Sequence, residues 1–158
     1  VNITLNQIVK LFEDIATNHD QIQSFGFGDL WEYSANNDGL TKNKKTPTLW
    51  AVLEDSTFDS NELVLNFTLL VFDLVKKDEF NETEVLSDTL QIAGDVYSIL
   101  QSPDYYDHFT IISSSQLQDF TERFDDEVSG WSMKIGLRIQ GIDTRCVAPA
   151  VVPDIVGG

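Results

Sequence analysis

The chain has 158 residues and a mass of 17.8 kDa, which fits one domain with one sizeable core. Ten Lys and Arg stand against twenty-six Asp and Glu, a formal charge of -16, while 42% of residues are hydrophobic. That balance excludes a disordered chain and argues against clamping nucleic-acid phosphates or docking on anionic membranes.

Residues 4–18 read as a helix. Leu5, Ile8, Leu11, Phe12 and Ile15 recur at spacings of three and four. Thr4 and Gln7 are spaced as a capping box. In Phe25-Gly-Phe-Gly28 the two glycines read as a flexible entry or turn, because no third glycine and no helix follow as a dinucleotide fingerprint needs. Leu30 to Tyr33 suit a strand, and Asn36-Asn-Asp-Gly39 is turn chemistry. A long polar connection, 36–46, carries the only basic cluster, Lys42, Lys44 and Lys45. Leu49 to Leu53 form a second strand.

Residues 61–75 give the clearest strand. Leu63, Leu65, Phe67, Leu69 and Val71 share one face, and the other changes from mixed to apolar along its length. A second helix is expected from Asn81 to about Gln101, capped by Asn81 with Glu84 and striped by Val85, Thr89, Ile92, Val96, Ile99 and Leu100. Gly94 inside it implies close packing against another element. Three strands follow, His108 to Ser113, Leu117 to Phe124 and Val128 to Gly141, with an acidic turn at Asp125-Asp-Glu127. In the last strand Trp131, Met133, Ile135, Leu137 and Ile139 alternate with Ser132, Lys134, Gly136, Arg138 and Gln140. Residues 143–158 are apolar but broken by Pro149 and Pro153, which suits an extended arm.

The expected fold is α+β. A single domain, 1–142, has the order α-β-β-β-α-β-β-β, with an antiparallel sheet and both helices on one face, plus the arm.

No motif assembles an active site, and no catalytic, cofactor or metal residues are assigned. Two histidines, His19 and His108, and one cysteine, Cys146, are too few for a His- or Cys-based metal motif or an internal disulfide. His19 reads as a helix C-terminal residue, His108 as a strand opener and Cys146 as a small packed hydrophobe. The pairs Glu13-Asp14, Glu54-Asp55 and Asp78-Glu79 read as solvated turns, and Asp125-Asp-Glu127 lacks EF-hand spacing. The sequons at Asn2, Asn66 and Asn81 read as chance, since no basic region opens a signal peptide. No apolar run spans a bilayer. The segments left for interactions between subunits are the lysine loop, with Lys42, Lys44 and Lys45 flanked by Trp31 and Trp50, and the arm, with Val151, Val152, Ile155 and Val156.

The N-terminal helix is followed in order by Phe27-Gly-Asp-Leu-Trp-Glu32, Pro47-Thr-Leu-Trp50, Phe72-Asp73, Val85-Leu-Ser-Asp88, Asp125-Asp-Glu-Val-Ser-Gly-Trp131 and Cys146-Val-Ala-Pro149. In this order and spacing the chain resembles small neck proteins of tailed bacteriophages, of the head–tail connector and tail-terminator type. It looks closest to those of phages infecting Bacteroidetes bacteria, including crAss-like phages. The resemblance implies a structural virion protein, assembled in the host cytoplasm. It implies a homo-oligomeric ring between portal and tail that contacts neck, portal or tail proteins and passes DNA through its channel without specific binding. It implies no catalysis, no cofactor and no membrane. A ring of this kind is expected to concentrate acids on the channel and outer rim. The residues themselves leave two other readings open, a carboxylate-dependent hydrolase and a monomeric acidic binding module.

Overall fold

The computed structural model describes residues 3–28, 46–75, 81–112, 115–123 and 127–140, together with Ile155. Its elements in chain order are α1 (Leu5–Asn18), β1 (Ser24–Phe27), β2 (Thr48–Leu53), β3 (Thr57–Asp59) and β4 (Glu62–Leu74). Then come α2 (Glu82–Leu100), a 3-10 turn (Pro103–Tyr105), β5 (Thr110–Ile111), β6 (Gln116–Arg123) and β7 (Glu127–Gln140). The seven strands form one sheet with the path β1-β2-β4-β7-β5, β3 joining β4 and β6 joining β7. The fold is α+β in a single domain, as expected.

The spine is β4 paired antiparallel with β7, from Glu62 opposite Gln140 to Leu74 opposite Val128. This register puts Leu65, Phe67, Leu69 and Val71 on the same face as Met133, Ile135, Leu137 and Ile139, all of them buried. Each such side chain stabilises the fold by about 1.5–3 kcal/mol relative to leaving it in water. Both helices cover this one face. Ile8, Phe12, Ile15 and Ala16 of α1 and Ile92, Ala93, Val96 and Leu100 of α2 enter the same core. Phe12 meets Phe67 edge to face with ring centres 5.1 Å apart.

The helix ends follow from short-range chemistry. At α1 the capping box is complete: the Gln7 N–H donates to Thr4 Oγ1 at 3.2 Å and the Thr4 N–H to Gln7 Oε1 at 2.8 Å. At α2 the Asn81 carbonyl accepts from the Val85 N–H at 2.9 Å, but the Asn81 side chain makes no capping bond. Its backbone, at φ -105 and ψ 10, lies outside the extended region from which a capping side chain reaches the helix. Glu82 and Glu84 favour the same end through the helix dipole. The Trp131 indole N–H then fastens α2 to the sheet, donating to the Leu86 carbonyl at 2.8 Å.

Several details depart from expectation. Ser24–Phe27 is a strand rather than a flexible entry, and it runs parallel to β2, so the sheet is mixed at this edge and antiparallel elsewhere. The stretch between Phe27 and Thr48 has the length that a parallel crossover requires. A further strand, β3, makes a tight hairpin with β4, turning through Ser60 at φ 52. The strand expected from His108 to Ser113 shrinks to Thr110–Ile111, and His108 lies in the turn before it, its N–H donating to the Tyr105 carbonyl at 2.9 Å. Gly94 is not tightly packed: a Cβ there would meet nothing within 4 Å. Ile99, placed in the buried stripe of α2 by its spacing, is 37% exposed. The strand at Leu30–Tyr33, the lysine connection, Asp78-Glu79, Asp125-Asp126 and Cys146 lie outside the described residues.

Candidate functional site

Of the proposed interface residues, Trp50 and Ile155 are described; Trp31, Lys42, Lys44, Lys45, Val151, Val152 and Val156 lie outside. Trp50 is buried on the sheet face away from the helices, with Leu70, Phe72 and Val128. Its indole N–H donates to the Gly28 carbonyl at 2.8 Å, and its ring lies flush on β1, where a Cβ at Gly26 would overlap it. Trp50 therefore serves a second apolar cluster and not an exposed interface. Ile155 is the opposite case, an aliphatic side chain 96% exposed.

His19 follows the last turn of α1 and sits at the head of a groove of about 600 Å³, whose wall includes Asp14, Asp20 and Asp95. Its Nδ1 accepts from the Gln21 N–H at 3.2 Å, so Nε2 carries the proton that faces Asp95 Oδ2 at 2.9 Å. Both ring nitrogens are thereby committed, one to the local turn and one to α2. The arrangement ties the two helices together and presents no free base to a substrate.

In each described acidic pair one carboxylate is engaged locally. Asp14 bonds the Lys10 ammonium at 3.0 Å on the exposed side of α1 and, by hydrogen bond and then by charge, holds the Lys10 pKa above its ordinary value. Glu54 Oε1 accepts from the Thr68 hydroxyl at 2.8 Å, and the Asp55 carbonyl accepts from the Asn66 amide at 2.8 Å. Asn66 is thus a mid-strand residue whose amide is already bonded. Among the described residues no group of three or more His, Cys, Asp or Glu could hold a metal ion, and no helix is long and apolar enough to cross a membrane.

No protein-family model and no curated protein matches the chain.

Two larger features remain, and both lie on the surface. The first is a helix layer whose exposed charges are nearly all acidic, opposite a sheet face where Glu54 and Glu62 accompany the cations. The helix layer exposes Glu13 and Asp14 on α1, Glu84, Asp88 and Asp95 on α2, and Asp20, Asp104 and Asp107 in the segments after the helices. Among the described residues the cation among these is Lys10, already bonded to Asp14. Neither helix has a basic residue in its last turn, so the negative ends of both dipoles add to the same field. The exposed cations of β7, Lys134 and Arg138, are on the other side of the sheet, where Arg138 Nε pairs with Glu62 Oε2 at 3.2 Å.

The second feature is an open sheet edge. Strand β6 pairs with β7 from Gln116 opposite Lys134 to Arg123 opposite Glu127, and no described strand pairs with its other side. Gln116, Leu117, Gln118 and Asp119 are all exposed. An edge of this length is a template for a further strand, with Asp119 as its main deterrent. Sequence reasoning found the strand but not its place: Gln116-Leu-Gln-Asp-Phe-Thr121 is polar at most positions on both faces, the sign of an edge, which only the pairing order reveals.

Proposed function

We propose that this chain is a structural ring protein of a tailed-bacteriophage neck or tail, of the connector or terminator type, located in the virion. The observation that carries the reading is the acidic helix layer. Eight exposed acids stand on the helix layer with Lys10 as its described cation, whereas the opposite side mixes Lys134 and Arg138 with acids such as Glu54 and Glu62. A protein surrounding a moving duplex needs a wall that repels phosphate, and a continuous acidic layer supplies one without any bound cofactor or catalytic group.

In this reading copies are arranged side by side in a closed ring, with the acidic helix layer toward the DNA channel. The open β6 edge meets the neighbouring subunit laterally. A cyclic contact joins two different patches, so Lys42, Lys44 and Lys45 would face acids of the next copy. Axial contacts with portal-side and tail-side proteins would fall to the loops at the two ends of the sheet.

The test is electron microscopy of purified particles carrying a label on this protein's C-terminus. The expected image has label at the neck or tail, at one axial level. Label over the capsid shell, or no label on the particle, rejects the reading.

A further inference from the structure

Alongside the β6 edge runs an apolar groove of about 240 Å³ between α2 and the beginning of β6. Ala93 and Met133 form its floor, buried at 1% and 2% exposure, while Leu90 and Leu117 form walls that are 40% and 44% exposed. Two details in it have no use among the described residues. Gly94 sits in the middle of a nineteen-residue helix, where glycine is unfavourable, yet nothing within 4 Å requires its small size. The Ser115 hydroxyl, at the groove's end, is buried and has no hydrogen-bond partner among the described residues. An extended apolar segment laid along the groove would answer both. Its aliphatic side chains would fill the space over Gly94, and its backbone would bond the Ser115 hydroxyl.

The chain itself contains such a segment. Val147-Ala-Pro-Ala-Val-Val-Pro153 is apolar and uncharged, so the acids of α2 do not repel it, and its two prolines favour extended backbone. Ile155, just beyond it, is 96% exposed, so its aliphatic side chain is not seated in a groove of its own molecule. We infer that the α2–β6 groove receives residues 147–153 of an adjacent copy of this chain. The inference rests on the ring reading only in setting copies side by side.

Site-directed cross-linking of full-length protein tests it. In a Cys146→Ser background, Leu90→Cys is placed in one tagged chain and Val152→Cys in a differently tagged chain, with Leu117→Cys and Val151→Cys as a second pair. After mixing and oxidation, a disulfide joining the two tags is expected for at least one pair. Adding Gly94→Leu to the groove-bearing chain should lower its yield at least tenfold. That chain should remain folded by circular dichroism, since the added side chain enters open space. Absence of any inter-tag product, insensitivity to Gly94→Leu, or closure within a single chain when both cysteines share it would overturn the inference. Rings that assemble undiminished from the Gly94→Leu protein would also overturn it and leave the ring reading standing. Arm-linked oligomers with no label on virions would do the reverse.

Discussion

At the scale of single residues, two backbone positions are tightly constrained, one by a ring and one by a turn. Gly26 is where the Trp50 ring rests on β1, and the indole is held in place by its bond to the Gly28 carbonyl at 2.8 Å. Gly26→Ala therefore displaces a buried aromatic that is already anchored, and should cost about 1–3 kcal/mol, the range for overpacking a filled site. Chemical denaturation should show this as a lower midpoint with unchanged slope. Ser60 has the reverse sign. It turns the β3–β4 hairpin at φ 52, a conformation that glycine adopts freely and serine does not. Ser60→Gly should raise stability by about 0.5–1 kcal/mol, seen as a higher midpoint in the same assay. His19 has a structural consequence rather than a catalytic one, because its two nitrogens are already spent on Gln21 and Asp95.

At the scale of elements, α2 is held to the sheet by a stripe of apolar side chains and by directional bonds, the part-buried one from Trp131 to the Leu86 carbonyl and an exposed one from the Thr121 hydroxyl to Glu82. Trp131→Phe keeps an aromatic surface but loses that donor. It should cost about 1–2 kcal/mol, and hydrogen exchange should rise mainly in the first turns of α2. The elements show why periodicity is a partial guide to a fold. Both helices, β2, β4, β6 and β7 were legible, since each is long enough for a face to repeat: Ile8-Phe12-Ile15 in one and Met133-Ile135-Leu137 in another. Strands β1 and β3 were not. Ser24–Phe27 and Thr57–Asp59 are too short to show alternation, and their strand character comes from their partners β2 and β4. The Asn81 cap failed for a related reason, because residue type does not set φ and ψ. The candidate site was still less legible. Gly94 stands out by its type, but the sequence has no means of distinguishing a glycine pressed against a neighbour from one beside an open groove. An edge strand cannot be known as an edge until the pairing order is known. The place of Trp50 beside the lysine connection suggests an interface, and burial in the second cluster gives it a different role.

At the scale of the whole molecule, the charge of -16 is a sum over unlike faces. The acids of α1, α2 and the adjoining segments repel one another across a single layer, and compactness is maintained against that repulsion. Screening should relieve it. Raising sodium chloride from about 0.02 M to 0.5 M shortens the Debye length to within a few ångströms, and the melting temperature should climb by about 2–6 °C. A flat or falling melting curve would mean that pairs such as Arg138 with Glu62 outweigh the repulsion. The central ladder has a different consequence. Thirteen positions of β4 face β7 in one unbroken register, and the two strands run in opposite directions. Tension applied at Glu62 and Val128, which lie at opposite ends of the ladder, loads every rung at once in shear. Tension applied at Glu62 and Gln140, which face each other, opens the rungs one after another like a zipper. The molecule is therefore mechanically anisotropic, stiff along one axis of its sheet and weak across it.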